Sequence, residues 1–277
     1  MQHHADPGWQ DLAPTDFPNE TAPDESDRRR RDVWRARVGA RINGASYQSP
    51  AGRVGWTQDT ATTRRALIAG LEEARPFVSG HVLDVGCGAK PYERLLGERA
   101  TTWLGVDLPW AFSGRTAADV FGSALALPFA DGIFDTVLST EVMEHLPDPT
   151  AGMREMYRVL RLGGHLIATT PFYYGLHEEP NDYYRFTAHG LRYLAKQAGF
   201  SVVLLEPCGD VLSVIGQLLA YRLPFDRAGR VQGWVLAAVR SWIQRLCSLI
   251  DRHHHWGHDP LRYVMICAKP PTGTMES

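Results

Sequence analysis

The sequence of 277 residues is poor in lysine. Lys90, Lys196 and Lys269 are its only lysines, so arginine supplies most of the basic side chains, and the formal net charge is −2. A protein that binds nucleic acid through its phosphates usually carries an excess of positive charge on one face. The sequence therefore gives no sign of a nucleic-acid partner.

Cysteine pairs and long apolar runs are also lacking. Cys87, Cys208, Cys247 and Cys267 are widely spaced and form no CxxC pair, which argues against a disulfide framework and against a cysteine zinc site. No uncharged apolar run reaches the ~18 residues of a membrane span, and the acidic N-terminal segment lacks the apolar core of an export signal. These absences favour a cytoplasmic protein without a transmembrane segment.

The chain is long enough for one α/β domain with appendages. Residues 1–27 are rich in proline and acidic residues, which predicts a disordered leader. Residues 28–56 begin with an arginine run and continue with apolar residues at helical spacing, which predicts an N-terminal helical extension. The main domain is expected over residues 57–270, with a tail over 271–277.

Short apolar segments alternate with helical patterns through the main domain. The strand candidates are residues 81–85, 103–106, 134–138, 165–169, 202–205 and 263–268, and the helical patterns cover residues 57–75, 151–160 and 191–198. This alternation predicts a doubly wound α/β fold with a mostly parallel sheet.

Residues 211–252 interrupt the alternation. An apolar stripe at helical spacing predicts an amphipathic helical insertion before the last strand. Its members are Val235, Val239, Trp242, Leu246 and Leu249. Such a stripe must be covered, and a lid over the acceptor, a homodimer contact and a peripheral membrane contact all stay open.

The first strand candidate ends in a glycine turn. Gly86 and Gly88 carry no Cβ atoms that would block a ligand lying across the turn. Asp107 ends the next strand candidate about 20 residues on, the offset expected for a carboxylate that binds a ribose. The third glycine of a dinucleotide motif is replaced by Pro91, and the charge of Asp84 would repel a pyrophosphate but could hold an ammonium group. The turn therefore indicates a nucleoside cofactor that carries an amino acid.

Five blocks follow one another in the order and at the spacing of a known family. They are residues 82–88 (VLDVGCG), 105–107 (GVD), 124–134 (ALALPFADGIF), 141–146 (EVMEHL) and 158–164 (RVLRLGG). Over roughly residues 82–207 the sequence resembles the type 11 branch of the class I S-adenosylmethionine-dependent methyltransferases. The resemblance implies S-adenosylmethionine as cofactor and a Rossmann-like fold of seven strands, the last of them antiparallel.

The resemblance also implies where the cofactor binds. Asp84, Gly86 and Gly88 would surround the methionine moiety, Asp107 would bind the ribose hydroxyls, and Ala124 with its neighbours would flank the adenine. The other expected cofactor-binding residues are Cys87, Leu108, Ser123, Leu125, Thr140 and Glu141. The sequence departs from the family pattern at Ser123, where relatives often carry aspartate, and at Lys90, where motif I often has a third glycine.

The acceptor side is expected in the loop after the fourth strand candidate. Residues 177–187 (HEEPNDYYRFT) are dense in aromatic and titratable groups, and a similar segment occurs in a subset of the type 11 branch. His177 is the candidate base, with Tyr184 and Arg185 orienting the acceptor. The alternative is that the loop residues only pack and pair, with Thr187 capping the next helix. His145 is equally open to a base role or to local pairing.

No metal site is expected. His253, His254, His255, His258 and Asp259 could bind a metal ion, but a solvated turn explains this cluster more simply. The sequence predicts methyl transfer to a small molecule or glycan, by O-methylation, because the loop offers titratable groups and the surface offers no nucleic-acid site. Aminopropyl transfer and a cofactor-binding scaffold without catalysis are the alternatives.

Overall fold

The structure, a computed structural model, describes residues 61–109, 116–209, 211–222, 242 and 259–271. Within them the strands are β1 (Gly80–Val85), β2 (Ala100–Asp107), β3 (Val120–Phe121), β4 (Phe134–Thr140), β5 (Leu160–Pro171), β6 (Ser201–Cys208) and β7 (Arg262–Ala268). The helices are α1 (Ala61–Ala74), α2 (Glu93–Leu96), α3 (Pro149–Val159), α4 (Ala188–Gln197) and α5 (Val211–Arg222), and short 3₁₀ turns lie at Arg75–Phe77, Gly97–Arg99 and Met143–His145.

The strands form one sheet in the order β3-β2-β1-β4-β5-β7-β6. Strand β1 pairs in parallel with β2 on one side and with β4 on the other, and β4 pairs in parallel with β5. Strand β7 lies antiparallel between β5 and β6. The predicted doubly wound sheet with an antiparallel last strand is confirmed. Its strand order reverses between β1 and β4, where open α/β sheets bind their ligands.

The observed elements differ from the predicted ones mainly at their ends. Helix α3 starts two residues before the predicted pattern, because Asp148 caps it by accepting from the Ala151 amide at 2.9 Å and Pro149 suits its first turn. Strand β3 is absent from the predicted strands, since two residues show no periodicity. The leader, the extension and the tail lie outside the described residues. So does the apolar stripe apart from Trp242, whose side chain is exposed.

Both faces of the sheet are covered. On one face, Met153 and Met156 of α3 pack in a core with Val137 of β4. On the other face, Leu71 of α1 packs in a second core with the adjacent Leu138. Neighbouring residues of a strand point to opposite faces, and burial on both sides explains the nearly continuous apolar strands. None of the helices in the described ranges combines the length and apolar character needed to cross a bilayer.

Arg158 ties the loop before β4 to helix α3. Its Nη1 donates to the Phe129 carbonyl at 2.8 Å and to Asp131 Oδ1 at 2.7 Å. Its Nη2 donates to the Leu127 carbonyl at 2.9 Å and to Glu155 Oε2 at 2.8 Å. The arginine thereby fixes the chain that follows residues 123–125, where the adenine of the cofactor is expected.

We expect Arg158→Met to lower the free energy of unfolding by about 3 kcal/mol, because mostly buried carbonyl and carboxylate groups lose charged hydrogen bonds. Urea unfolding followed by circular dichroism measures the loss. Arg154→Met is the matched control, since Arg154 is exposed on the same helix and should change stability by no more than about 0.5 kcal/mol. Equal losses in both variants would contradict the role of Arg158.

Candidate functional site

A cavity of about 410 Å³ opens at the carboxyl ends of β1, β2 and β4. The predicted cofactor residues that line it are Gly86, Gly88, Asp107, Leu108, Ser123, Ala124, Leu125 and Glu141. The other lining residues include His145, Glu178, Asn181 and Tyr183, which come from the 3₁₀ turn after β4 and from the loop after β5. The predicted cofactor side and part of the predicted acceptor loop therefore share one cavity.

The glycine turn after β1 needs its glycines for conformation and space. Gly86 has φ +64°, and a Cβ atom there would lie 2.5 Å from Cγ2 of Val142. Gly88 has φ +48°. Both values lie in the left-handed region that side chains rarely adopt. The bare turn leaves the backbone at 86 and 88 open to the cavity.

Asp107 connects the glycine turn to the end of β2. Its Oδ2 accepts from the Gly88 amide at 2.9 Å, and its Oδ1 accepts from the Leu108 amide at 2.8 Å. Burial raises the pKa of this carboxyl, although both amide bonds act in the opposite direction. The Thr116 hydroxyl also donates to Oδ2, at 3.5 Å. The second lone pair of Oδ1 therefore remains to accept from a ligand hydroxyl.

Three predicted cofactor residues do not line the cavity. Asp84 is buried below the turn, where Oδ2 accepts from Nε1 of Trp103 at 3.1 Å. Burial raises the pKa of Asp84 to about 8. Burial also raises the pKa of the Cys87 thiol, and Thr140 is a half-buried residue at the end of β4. The structure does not bring Asp84, Cys87 or Thr140 to the cavity, and their cofactor roles stay predictions.

The contacts of Lys90 show how the turn accommodates this departure from the family pattern. It has φ +52° and a buried side chain, whose Nζ pairs with Asp119 just before β3. The side chain crosses Gly105 of β2, where a Cβ atom would lie 2.5 Å from Lys90 Cε. Asp119 also accepts from the Gly105 amide at 2.8 Å. An ion pair thus supports the turn at the position where the family pattern often has a third glycine. Sequence reasoning missed it because the two partners are far apart in the chain.

Glu141 turns the chain sharply at the end of β4. It has φ +55°, and its Oε1 accepts from the Thr169 hydroxyl at 2.9 Å. Its Oε2 lies 3.2 Å from Nη1 of the buried Arg262 on β7. These contacts fix Glu141 at the cavity wall and set the start of the turn that carries His145.

The loop after β5 is attached to this turn. The Tyr183 amide donates to the Glu144 carbonyl at 2.9 Å, and His145 Nδ1 lies 2.7 Å from the Asn181 carbonyl oxygen. A carbonyl oxygen only accepts, so His145 donates through Nδ1. The loop and the turn therefore form one wall of the cavity.

The predicted catalytic residues His177, Tyr184 and Arg185 do not line the cavity. Both terminal nitrogens of Arg185 donate to Asp182, at 2.6 and 2.7 Å. Burial raises the pKa of Asp182, but the hydrogen bonds from Arg185 and the His177 amide outweigh it and hold the value at about 2. The Tyr184 hydroxyl donates to the Pro147 carbonyl at 3.0 Å. Arg185 and Tyr184 thus hold the loop together, and their catalytic roles stay predictions.

Part of the loop packs in the way that the structural alternative from the sequence expects. The Thr187 hydroxyl accepts from the Gly190 amide at 3.0 Å and caps α4. Phe186 is buried and its ring stacks on Tyr184. The segment 184–187 therefore seats the following helix, as that alternative expects.

His177 belongs to a cluster with Glu144 and His145, which we call the Glu–His–His cluster. Glu144 Oε1 lies 3.8 Å from His145 Nε2 and 3.9 Å from His177 Nε2. The Glu144 side chain is fully buried, and neither of its oxygens has a hydrogen bond to another described residue. Burial, and then the charge of Glu141, raise the pKa of Glu144 well above its ordinary value. Sequence reasoning missed Glu144, although it lies next to His145 in the fourth motif block.

Comparisons with known proteins agree with this geometry. Residues 83–168 match the model of a family described as a methyltransferase domain. The chain is 42% identical over 89 residues to an uncharacterized methyltransferase of Mycobacterium sp. strain KMS, a match that covers 30% of this chain and 35% of the relative. It is 28% identical over 178 residues to norajmaline N-methyltransferase of Rauvolfia serpentina, covering 56% of each chain.

One solved structure aligns with most of this chain. A chain from the complex between the Haloferax volcanii Trm112 methyltransferase activator and a candidate methyltransferase aligns with a TM-score of 0.50 and 20% identity, covering 91% of this chain and 100% of that one. The matches to the curated relatives given above span 35% and 56% of those proteins. Residues 83–168, which run from β1 to β5 of this sheet, are thus similar to the methyltransferase-domain family, and the resemblance to S-adenosylmethionine-dependent methyltransferases expected from the motif blocks is confirmed over this range.

Proposed function

We propose that this chain transfers the methyl group of S-adenosylmethionine to a hydroxyl group of a small molecule or glycan. One observation carries the proposal: the cavity that Gly86, Gly88 and Asp107 line is also lined by His145. A methyl donor and a group able to take a proton would thus meet in one cavity. A volume of about 410 Å³ is in the range of small-molecule sites.

The donor side would hold the cofactor through backbone and carboxylate groups. The open turn at Gly86 and Gly88 lets the methionine moiety approach the backbone closely. Asp107 would accept from the ribose hydroxyls, and Ser123, Ala124 and Leu125 would flank the adenine. The Ser123 hydroxyl already accepts from the Leu125 amide at 3.2 Å, so adenine recognition would lean on backbone groups.

The acceptor side would align the hydroxyl and take its proton. In the transfer, the acceptor oxygen forms a bond to the methyl carbon while the carbon–sulfur bond breaks, and sulfur keeps the electron pair. The protein contributes alignment, exclusion of water and a proton acceptor. His145 lines the cavity, and His177 lies behind it with ring centroids 4.8 Å apart. The base role predicted for His177 therefore passes to the Glu–His–His cluster as a unit.

A nitrogen acceptor is the second candidate. The match to norajmaline N-methyltransferase supports it. A neutral amine needs no base to attack a methyl group, whereas a hydroxyl does. The titratable groups of the acceptor wall therefore favour oxygen over nitrogen.

We expect Asp107→Ala to bind S-adenosylmethionine and its demethylated product at least roughly tenfold more weakly, because the ribose loses a charged hydrogen-bond acceptor. Isothermal titration calorimetry measures both affinities. Glu72→Ala, at an exposed position of α1, is the control and should bind normally. Unchanged affinity in a folded Asp107→Ala protein would remove Asp107 from the cofactor site.

We expect the labelled methyl group of [methyl-¹³C]-S-adenosylmethionine to appear on oxygen when the protein is incubated with a metabolite extract and a panel of sugars and hydroxylated small molecules. The ¹³C NMR shift separates O-methyl from N-methyl and C-methyl products. Heat-denatured protein gives the background. Label on nitrogen would overturn O-methylation in favour of the second candidate. Transfer no faster than the background would favour a scaffold without catalysis.

We expect His145→Ala and His177→Ala each to lower kcat by about 10²- to 10⁴-fold on the acceptor found in that assay, the contribution typical of a proton-transfer group. The cofactor affinity should stay nearly unchanged, because neither histidine is among the residues expected to hold the cofactor. His189→Ala, at an exposed histidine of α4, is the control. Near-normal kcat across a pH series would reject the cluster, and an equal loss of cofactor binding would move it to the donor side.

A further inference from the structure

We propose that the Glu–His–His cluster is a binding site for one divalent transition-metal ion, which holds the acceptor hydroxyl at the cavity wall. The inference rests on the proposed function for the identity of the acceptor. Metal binding itself can be tested without cofactor or acceptor. It replaces the sequence-based expectation of no metal, which concerned the separate histidine run at residues 253–255.

The three side chains converge on one point. Glu144, His145 and His177 each offer one ligand atom, and these atoms all lie within 4.8 Å of one another. A tetrahedral ion with bonds near 2.1 Å separates its ligands by about 3.4 Å. The observed separations of 3.8 and 3.9 Å from Glu144 Oε1 to the two Nε2 atoms thus need only small side-chain movements to close around an ion.

Both imidazoles direct Nε2 toward Glu144. His145 Nδ1 lies 2.7 Å from the Asn181 carbonyl oxygen. His177 Nδ1 lies 3.2 Å from the Gly175 carbonyl and 3.3 Å from Asp182 Oδ2, with Arg185 Nη2 further away at 3.5 Å. The nearest partners accept hydrogen bonds, which favours the tautomer with the ring proton on Nδ1, and in that tautomer Nε2 is available to coordinate. Metal-binding histidines are oriented in this way by carbonyl and carboxylate partners.

Glu144 supplies an independent observation. Its side chain is fully buried, Oε1 faces both Nε2 atoms, and neither oxygen has a hydrogen bond to another described residue. Buried carboxylates in proteins are paired, hydrogen-bonded or bound to metal, because an isolated one loses its hydration without compensation. With the ring protons on Nδ1, neither imidazole donates a hydrogen bond to Glu144, whereas a shared cation would satisfy all three groups.

The ligand set defines the class of ion. Two imidazole nitrogens and one carboxylate are typical of zinc enzymes and of the facial triad that binds iron, whereas magnesium and calcium prefer oxygen ligands. Such sites keep coordination positions open for water or substrate. His145 and Glu178 line the cavity, and Glu178 Oε2 lies 3.5 Å from His145 Nε2. The open positions would therefore face the acceptor.

A bound ion would make the acceptor hydroxyl a better nucleophile. A hydroxyl coordinated to a divalent cation loses its proton more easily, as bound water does. With the ion bound, the Nε2 lone pairs of His145 and His177 coordinate the metal, so the proton that the cluster would take without an ion goes instead to the Glu178 carboxylate at the cavity wall. The acceptor oxygen attacks the methyl carbon, and the sulfonium sulfur leaves with the bonding pair. No electron is gained or lost by the metal, so the step needs no oxidant or reductant.

Titration of chelator-treated full-length protein with Zn²⁺, followed by calorimetry, tests the site. We expect one equivalent to bind to the wild type, and Glu144→Gln and His177→Ala to bind at least about 100-fold more weakly, because each loses a direct ligand. Glu144→Gln keeps the size of the side chain and breaks no hydrogen bond to another described residue, so it should fold. Zn²⁺ should also raise the melting temperature of the wild type but not of this variant.

Two controls separate this site from other histidines. The triple variant His253→Ala/His254→Ala/His255→Ala removes the histidine run, and His189→Ala removes an exposed histidine of α4. Both should still bind one equivalent with wild-type affinity. Loss of the equivalent in the triple variant, binding unaffected by Glu144→Gln and His177→Ala, or no binding by the wild type would each overturn the proposal.

The metal proposal and the proposed function fail in different ways. If the metal proposal alone is wrong, chelator-treated protein still forms the O-methyl product without any added ion. If the proposed function alone is wrong, Zn²⁺ binds to the cluster and no O-methyl product forms. Activity that is lost on chelation and restored by one equivalent of ion supports both.

Discussion

The reversal of strand order between β1 and β4 is the constraint on which the site depends. The chain leaves β1 on one side toward β2 and returns on the other as β4, so the carboxyl ends of all three strands meet around one opening. The two turns at this edge are in contact, because a side chain at Gly86 would collide with Val142. The glycine turn and the turn that carries His145 are therefore placed by the same close approach, and neither could shift without the other.

Backbone strain is concentrated around this opening. Among the described residues, Lys90, Glu141 and Glu178 are the residues other than glycine with positive φ, at +52°, +55° and +54°. Each such residue costs about 1 kcal/mol or more. Lys90 offsets its cost through the ion pair with Asp119, and Glu141 through Thr169 and Arg262. Glu178 has a half-exposed side chain near His145, and its carbonyl accepts from the Asn181 amide at 3.1 Å. The strain fixes the direction of the chain at all three positions, of which Glu141 and Glu178 line the cavity.

Local signals in the sequence predicted the fold and the donor side. The strand that ends in Gly86 and Gly88, and the carboxylate that ends the next strand, are features of short segments, and the structure places them at one edge. The acceptor side depended on which way each loop residue points, and residue type does not determine that. Tyr184 and Arg185 were expected to face the acceptor, yet their side chains meet Pro147 and Asp182. Glu144 was missed because its partner His177 comes from a distant part of the chain.

The residues that pack the acceptor loop also position the group that could take part in catalysis. Exposed ion pairs add little stability, but the Asp182 side chain is only 1% exposed, and Arg185 binds it with two hydrogen bonds. The two hydrogen bonds from Arg185 keep Asp182 ionised. Asp182 can therefore accept from the His177 amide at 3.0 Å and hold the Nδ1 side of the His177 imidazole. The opposite nitrogen of the imidazole then points to Glu144. Residues that hold the loop together thereby determine where a basic nitrogen lies behind the cavity wall.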